Sequence, residues 1–491
     1  MTGFPTPTID WAALSPELVL LGGAALCLLV PLFLPHAWRR YFCAFVAAAC
    51  FVGAGAAAIV LFHLDETGTG IVSNAIRRDR LAELGQILVV GSGLLTVGVS
   101  WAYVLRERLG EYYALLLTAA AGMCFFVAAE NLMTMFLGLE WFSISLYVLC
   151  ALAIEEVVSL EAGLKYLIVG SFGSAILLFG SAFVYGATGA IGFQGIAAGA
   201  PGAERLFLVT GLAMIIVGLG FKASAAPFHM WTPDVYQGAP TPVTAFMSGA
   251  TKVAAVVLTM RLLVTAFPSE ESLWTIALAV IVCVSLAWGN IAALVQTDVK
   301  RMLAYSSVSH AGFLLMPVAV GSPLGGRALM YYLIAYAAMS IGSFAIVAAR
   351  ERELARPVTF EGMAGLGWER PGLGAAMTLF MFGFIGLPPA GLFIGKFYAF
   401  SAAVDRGWAW LAIAGAVATA VSVYYYLGIV RAMYFQPAEV RVAPAGGSPP
   451  RDLALGTSVF LAVVVTIGSF VAAQPLLDIA RDAVDFLPFP H

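Results

Sequence analysis

The strongest constraint on this chain is the spacing of its apolar runs. Residues 17–35, 81–104 and 204–221 each approach or exceed the ~20 residues a bilayer-spanning helix requires. Windows of about 19 residues, bounded by turn residues and charges, predict fourteen spans. The first seven are 17–35, 42–62, 82–104, 112–129, 131–153, 163–187 and 205–236. The other seven are 243–264, 272–296, 302–320, 329–349, 372–404, 408–434 and 454–475. Composition agrees: 61% of the 491 residues are hydrophobic and 11% charged, too few charges to cover a soluble body of this size. The fold class is an all-α polytopic membrane protein, with the lipid bilayer as its solvent.

Several functions are excluded or disfavoured at once. A formal net charge of -3 and the lack of a basic tract interleaved with aromatics argue against nucleic-acid binding. Cys27, Cys43, Cys50, Cys124, Cys150 and Cys283 lie in or at the ends of apolar segments and form no CxxC pair. They read as small buried hydrophobes, so iron–sulfur or haem ligation is not expected. His36, His63, His229, His310 and His491 show no metal-ligand spacing. The glycines of "VGSGLLTVG" at 90–98 miss the dinucleotide spacing and sit inside a span. No P-loop, HExxH or Ser/His/Asp arrangement can be assembled. No cofactor is expected on this chain, which reads as a mover of ions.

The opening "MTGFPTPTIDWAALSPELVLL" lacks the basic n-region of a cleaved signal peptide, so the first run is expected to remain as a span. Lys/Arg placement sets the orientation. With the N-terminus outside, thirteen cations fall in cytoplasmic loops: Arg39, Arg40, Arg106, Arg108, Lys300, Arg301, Arg350, Arg352, Arg356, Arg370, Arg431, Arg441 and Arg451. Eight fall outside: Arg77, Arg78, Arg80, Arg205, Arg261, Arg327, Arg406 and Arg481. The bias places both termini outside, although "IRRDR" at 76–80 runs against it.

Spans 205–236 and 372–404 are too long for plain helices and contain prolines, Pro227 and Pro233 in one, Pro388 and Pro389 in the other. Both are expected to be broken. They are the seventh and the twelfth spans, five apart, so spans 4–8 and 9–13 can be two copies of one five-helix unit. Five is odd, so the second copy enters the membrane from the opposite face, the inverted-repeat plan by which many transporters hold a midplane site. The expected organisation is three N-terminal spans (1–111), one repeat (112–264), a second inverted repeat (272–434), and a loop with the last span (435–491).

A charge at the centre of a span costs roughly 2.5–3.5 kcal/mol, so charges there face protein or water. The candidates are Glu140, Lys165, Lys222, Lys252 and Lys396, with His310 as a further polar group. Lys165 lies near a helix start, where snorkelling to the headgroups is an equal reading. Glu140 and Lys252 each lie about ten residues into their spans, out of easy reach of either surface. Lys222 and Lys396 adjoin the expected breaks, where unpaired backbone groups and water gather. His310 has the ordinary alternative of a packing histidine, and Glu130 reads as an interfacial charge. Burial disfavours an ammonium and a nearby carboxylate favours it, so a buried lysine with a movable acidic partner can take and release a proton. Glu140 with Lys222 is the natural pair, and Lys252, His310 and Lys396 extend it into a relay.

Four stretches carry a resemblance: "GLEWFSISLYVLCAL", "EAGLKYLIVGSFGSAILLFGSAFVYGATG", "GLGFKASAAPFHMWTPDVYQGAPTPVTAFMSGATKVAA" and "GNIAALVQTDVKRMLAYSSVSHAGF". From about residue 17 to 475 the chain resembles the antiporter-like membrane subunits of proton-pumping NADH–quinone oxidoreductase (respiratory complex I), which are related to Mrp-type antiporter subunits. Within that family it is most similar to the N branch. It carries Lys396 where the M branch has glutamate, it ends soon after span 14 where the L branch continues into a lateral helix, and it opens on "LSPELVLLGGAALCLL". The resemblance implies that Glu140, Lys222, Lys252 and Lys396 match the family's fifth-, seventh-, eighth- and twelfth-helix charges. It implies proton translocation coupled to NADH, FMN, iron–sulfur and quinone chemistry in partner subunits. The implied partners are other antiporter-like subunits and small membrane subunits, in a bacterial cytoplasmic (inner) membrane. An Mrp-type cation/proton antiporter subunit and a non-pumping membrane scaffold are the competing readings. A pure scaffold is disfavoured, because replacing its buried charges by apolar residues often stabilises a protein.

Overall fold

The computed structural model describes residues 9–64, 69–72, 74–101, 108–436 and 452–489. The loop arginines Arg106, Arg441 and Arg451, and His491, lie outside the described residues. The first six spans are α1 (Ser15–Leu29, extended by a 3₁₀ turn to Phe33), α2 (His36–His63), α3 (Arg80–Ser100), α4 (Leu109–Val127), α5 (Leu132–Cys150) and α6 (Val157–Thr188). After the short α7 (Phe193–Gly199), the seventh span is broken into α8 (Arg205–Lys222) and α9 (Thr232–Gly238). The eighth is α10 (Thr241–Phe246), a π turn over Met247–Thr251, and α11 (Lys252–Ala266). The ninth to eleventh are α12 (Glu271–Leu294), α13 (Val299–Val320) and α14 (Pro323–Leu354). After α15 (Leu366–Glu369), the twelfth is broken into α16 (Pro371–Ile385) and α17 (Gly391–Asp405). The last two are α18 (Ala409–Phe435) and α19 (Leu453–Val471), followed by a short helix α20 (Ala473–Asp482).

Thirteen of these helices are long and apolar enough to cross a membrane. The fourteenth crossing is the α16–α17 pair, each half being 15 residues long. Five helices start on a side chain that accepts from a free N–H group: Asp79 caps α3, Asn131 caps α5, Asp298 caps α13, Ser322 caps α14 and Asp452 caps α19. The chain is not wholly helical. The Arg-rich loop before α3 forms a small antiparallel hairpin, β1 (Thr69–Ile71) with β2 (Ile76–Arg78).

Contacts between loops follow the alternation of crossings. At one end Ile76 bridges to Ala129, Asn131 bridges to Gly192, and Arg406 pairs with Glu271. At the other end Asp298 bridges to Thr359, and Arg352 reaches both Asp452 (2.6 Å) and the Val99 carbonyl (2.6 Å). Each contact joins loops separated by an even number of crossings, as a chain passing back and forth requires. Helices α10–α11, α13 and α14 are enclosed by the others, whereas α2, α18 and α19 present large apolar side chains outward. An enclosed central pillar can carry polar groups without facing lipid.

Candidate functional site

Helix α8 ends at Lys222 because the chain turns there. Ser224 takes a left-handed backbone (φ +58), and the Ala226 N–H donates to Ser285 Oγ on α12 at 2.9 Å. Trp231 Nε1 reaches back to the Phe221 carbonyl at 3.1 Å, and its ring stacks on Tyr166 at 4.5 Å. This holds Lys222 in the interior, 2% exposed. Its Nζ donates to Ser143 Oγ (2.6 Å) and Tyr166 OH (3.3 Å), over the Phe142 ring at 4.6 Å.

The carbonyl of the next residue, Ala223, accepts from Lys252 Nζ at 3.0 Å. Lys252 also donates to the Ser307 carbonyl on α13 at 2.6 Å. It directly follows the π turn, a wider coil that recurs at functional positions. Ser307 Oγ touches Tyr336 OH at 3.1 Å, and His310, one turn further along α13, lies between Tyr332 OH (Nδ1, 2.7 Å) and Tyr426 OH (Nε2, 3.1 Å). Phe384 stacks on Tyr426 at 5.5 Å between ring centroids. The carbonyls of Phe384 and Ile385, freed at the end of α16, accept from Lys396 Nζ at 2.8 and 3.0 Å, with Thr419 Oγ1 at 3.3 Å. Both broken helices thus present an ammonium group at the break, Lys222 from before it and Lys396 from after it.

The structure therefore brings Lys222, Lys252, His310 and Lys396 into one buried line through the middle of the molecule. Two expected members stand apart. Glu140 makes no ion pair with Lys222 among the described residues. Ser143, one turn further along α5, takes the lysine instead, and Glu140 Oε1 is buried without a hydrogen-bond partner. Lys165 points outward, its side chain 44% exposed, and pairs with Glu161 (2.7 Å) and Asp234 (2.9 Å), which fixes α9 to α6. The cysteines also differ from expectation in part, since Cys50 and Cys283 are half-buried.

Sequence reasoning missed the neutral partners. Tyr166, Tyr332, Tyr336 and Tyr426 are fully buried. The signal for the last three was the clustering of tyrosine in "MYYLIAY" and "VYYYLG" within apolar runs; Tyr166, alone in "GLKYLIV", had none. It also misplaced two cations. Arg261, counted with the outer segments, is buried in α11 and clasps Asp79 by two bonds of 2.6 Å. Lys300, counted with the cytoplasmic loops, is buried against the Ala239 carbonyl (2.9 Å) and Thr241 Oγ1 (3.0 Å). Glu130 is more than an interfacial charge: it pairs with Arg77 at 3.3 Å, and burial still pushes its carboxyl above the usual range despite Arg261 and Arg77 nearby. Among the described residues no three His, Cys, Asp or Glu side chains group as a metal site.

Fold and site together define a polytopic α-helical membrane protein with two broken helices and a buried lysine line between them. The family model described as "NADH:quinone oxidoreductase/Mrp antiporter, TM" matches residues 129–422. NADH-quinone oxidoreductase subunit N of Trichlorobacter lovleyi is 40% identical, over 98% of either chain. The subunit N of Granulibacter bethesdensis is 38% identical over 97% of this chain and 100% of that one. A chain of respiratory complex I from Thermus thermophilus superposes with a TM-score of 0.79 at 32% identity, covering 95% of this chain and 99% of that one. A chain of the Mrp complex from Dietzia sp. shares the fold, with a TM-score of 0.85 at 22% identity and 97% of each chain covered. The chain belongs to the NADH:quinone oxidoreductase/Mrp antiporter transmembrane family.

Proposed function

We propose that this chain is the N-type membrane-arm subunit of a proton-pumping NADH–quinone oxidoreductase. In this reading protons move along Lys222, Lys252, His310 and Lys396, while NADH oxidation, FMN, iron–sulfur clusters and quinone reduction belong to partner subunits. The observation that carries it is the arrangement itself: three lysines and a histidine, all buried, each with hydroxyl or carbonyl partners, set one after another from the first break to the second. Each lysine partner suits two protonation states. A neutral amine keeps two N–H groups for the two carbonyls at Lys252 or Lys396, and the hydroxyls of Ser143, Tyr166 and Thr419 can turn to donate. Residues 112–264 and 272–434 act as two inverted half-channels, flanked by 1–111 and 435–491, with Lys252 and His310 between them.

Glu140 supports an assembled over a solitary protein. On α5 it lies along the same face as Met133, Leu137, Ile144 and Val148, all exposed. A carboxylate amid an apolar stripe is costly against lipid, so this face is covered by a neighbouring membrane subunit. The environment is a bacterial cytoplasmic membrane with both chain ends on the outer side. Lys165 has a positioning role in this account, holding α9 through Asp234. Affinity purification of the chain from its native membrane tests the reading. Co-purifying flavin and iron–sulfur subunits with NADH–quinone activity are expected, and purification with antiporter subunits free of redox cofactors would contradict it.

A further inference from the structure

A second group of buried ionisable side chains lies apart from the lysine line, beneath the β1–β2 hairpin. Glu17 on α1 is 5% exposed and Glu83 on α3 is 2% exposed. Glu17 Oε1 accepts from Gln86 Nε2 at 2.8 Å, and Glu17 Oε2 and Gln86 Oε1 have no hydrogen-bond donor. Among the described residues neither oxygen of Glu83 receives a hydrogen bond, although Arg78 Nε stands 3.5 Å from its Oε1. Glu17, Glu83 and Gln86 line one cavity of about 10 Å³. That is close to the smallest space that holds a water molecule, and such a water needs two to four polar partners.

Glu17 Oε2, Gln86 Oε1 and the two Glu83 oxygens are all acceptors, and a water brings only two hydrogens. The guanidinium groups of Arg77 and Arg78 also line the cavity, but their ion pairs among the described residues go to Asp79, Glu130, Glu83 and Asp10, and none to Glu17. The neighbouring acids have cations of their own: Asp79 holds Arg261 and Arg77, and Glu130 holds Arg77. Glu17 forms no ion pair among the described residues, whereas Arg78 pairs with Glu83 (3.5 Å) and the exposed Asp10 (3.9 Å) among them. Arg80 on α3 and Cys124 on α4 complete the ionisable surroundings. A proton on one carboxyl removes the buried charge that has no cation at Glu17.

We propose that this cavity is a proton-binding site, in which one water bridges Glu17 and Glu83 and the two carboxyl groups share one proton. Through Arg78 and Asp10 it is one side chain from the surface at the hairpin end of the molecule. Its use in transport rests on the proton-moving reading above, whereas its existence does not.

The assembled complex, as wild type and with Glu17→Gln, Glu17→Asp or Glu83→Gln, is compared by infrared spectroscopy in H₂O and D₂O. The wild type should show a protonated carboxyl C=O band that shifts on deuteration. The band should vanish in Glu17→Gln, move in frequency in Glu83→Gln, and persist at a changed frequency in Glu17→Asp. Glu17→Asp keeps the test open if the glutamine variant does not assemble. Carboxyl bands unchanged in all three variants would overturn the site. If Lys252→Met pumps normally while the Glu17 band behaves as stated, the pumping reading falls and this site stands. Loss of pumping in Lys252→Met with no such band has the opposite meaning.

Discussion

Lys222 is held by two hydroxyls and three aromatic faces rather than by a carboxylate, and that determines what it can do. Hydroxyls accommodate either an amine or an ammonium, so the lysine can change charge without losing its partners. Lys222→Ala should therefore reduce proton pumping by about tenfold or more, equivalent to about 1.4 kcal/mol or more on the barrier, with the complex still assembled. Lys222→Arg should not rescue it, because a guanidinium does not deprotonate. Pumping in sealed vesicles checks both variants. Glu140 is not bonded to Lys222 and can act on it only through space, so Glu140→Gln should be milder, lowering turnover by roughly fivefold, the rate equivalent of about 1 kcal/mol. Glu140→Asp should be milder still, and the 140/222 double mutant should be non-additive in a thermodynamic cycle. Single charges were legible in the sequence because each interrupts an apolar run. Their partners were not: tyrosine counts as apolar in such windows, and the Ala223, Ser307, Phe384 and Ile385 carbonyls carry no signature in the letters.

At the scale of elements, both breaks were legible because a helix of more than thirty residues containing prolines cannot pass straight through a bilayer. The π turn before Lys252 was not, since "MSGAT" has the composition of any small-residue helix. The second break depends on Gly386, whose backbone is left-handed (φ +93) and whose added Cβ would lie 2.9 Å from Lys396 Cδ. Gly386→Ala should cost roughly 1–2 kcal/mol in backbone strain and displace Lys396 from the α16 carbonyls. A lowered thermal midpoint together with lowered pumping is expected; wild-type values for both would show the break to be unimportant. A second element-level device is the Asp79–Arg261 pair, which fixes α11 to the start of α3. Arg261→Met removes most of the positive charge opposing a buried carboxylate and should destabilise the complex by about 3–5 kcal/mol. Adding Asp79→Asn should recover much of that loss, as read by thermal unfolding of the purified complex. Counting loop charges could not find this pair, because the count treats every arginine as solvated.

For the molecule as a whole, the alternation of crossings and the enclosure of α10–α11, α13 and α14 put the polar line where neither lipid nor bulk water reaches it directly. Moving one charge through 100 mV costs roughly 2.3 kcal/mol, so a pump must never open the line to both faces at once. Lys396, beyond the second break, is the group closest to release in this scheme. Lys396→Ala should block pumping without raising passive proton permeability, and Lys396→Glu should keep part of the activity because a carboxylate also carries a proton. A large leak in Lys396→Ala would refute gated half-channels. The most direct test of the central claim falls on Lys252, which is bonded both to the Ala223 carbonyl at the first break and to the Ser307 carbonyl of α13, one turn from His310. The measurement is proton translocation per NADH oxidised by the reconstituted complex carrying Lys252→Met, which preserves side-chain volume and removes the proton. Translocation should fall well below wild type in an assembled complex with unchanged passive permeability; a wild-type ratio would show that protons do not travel along this line.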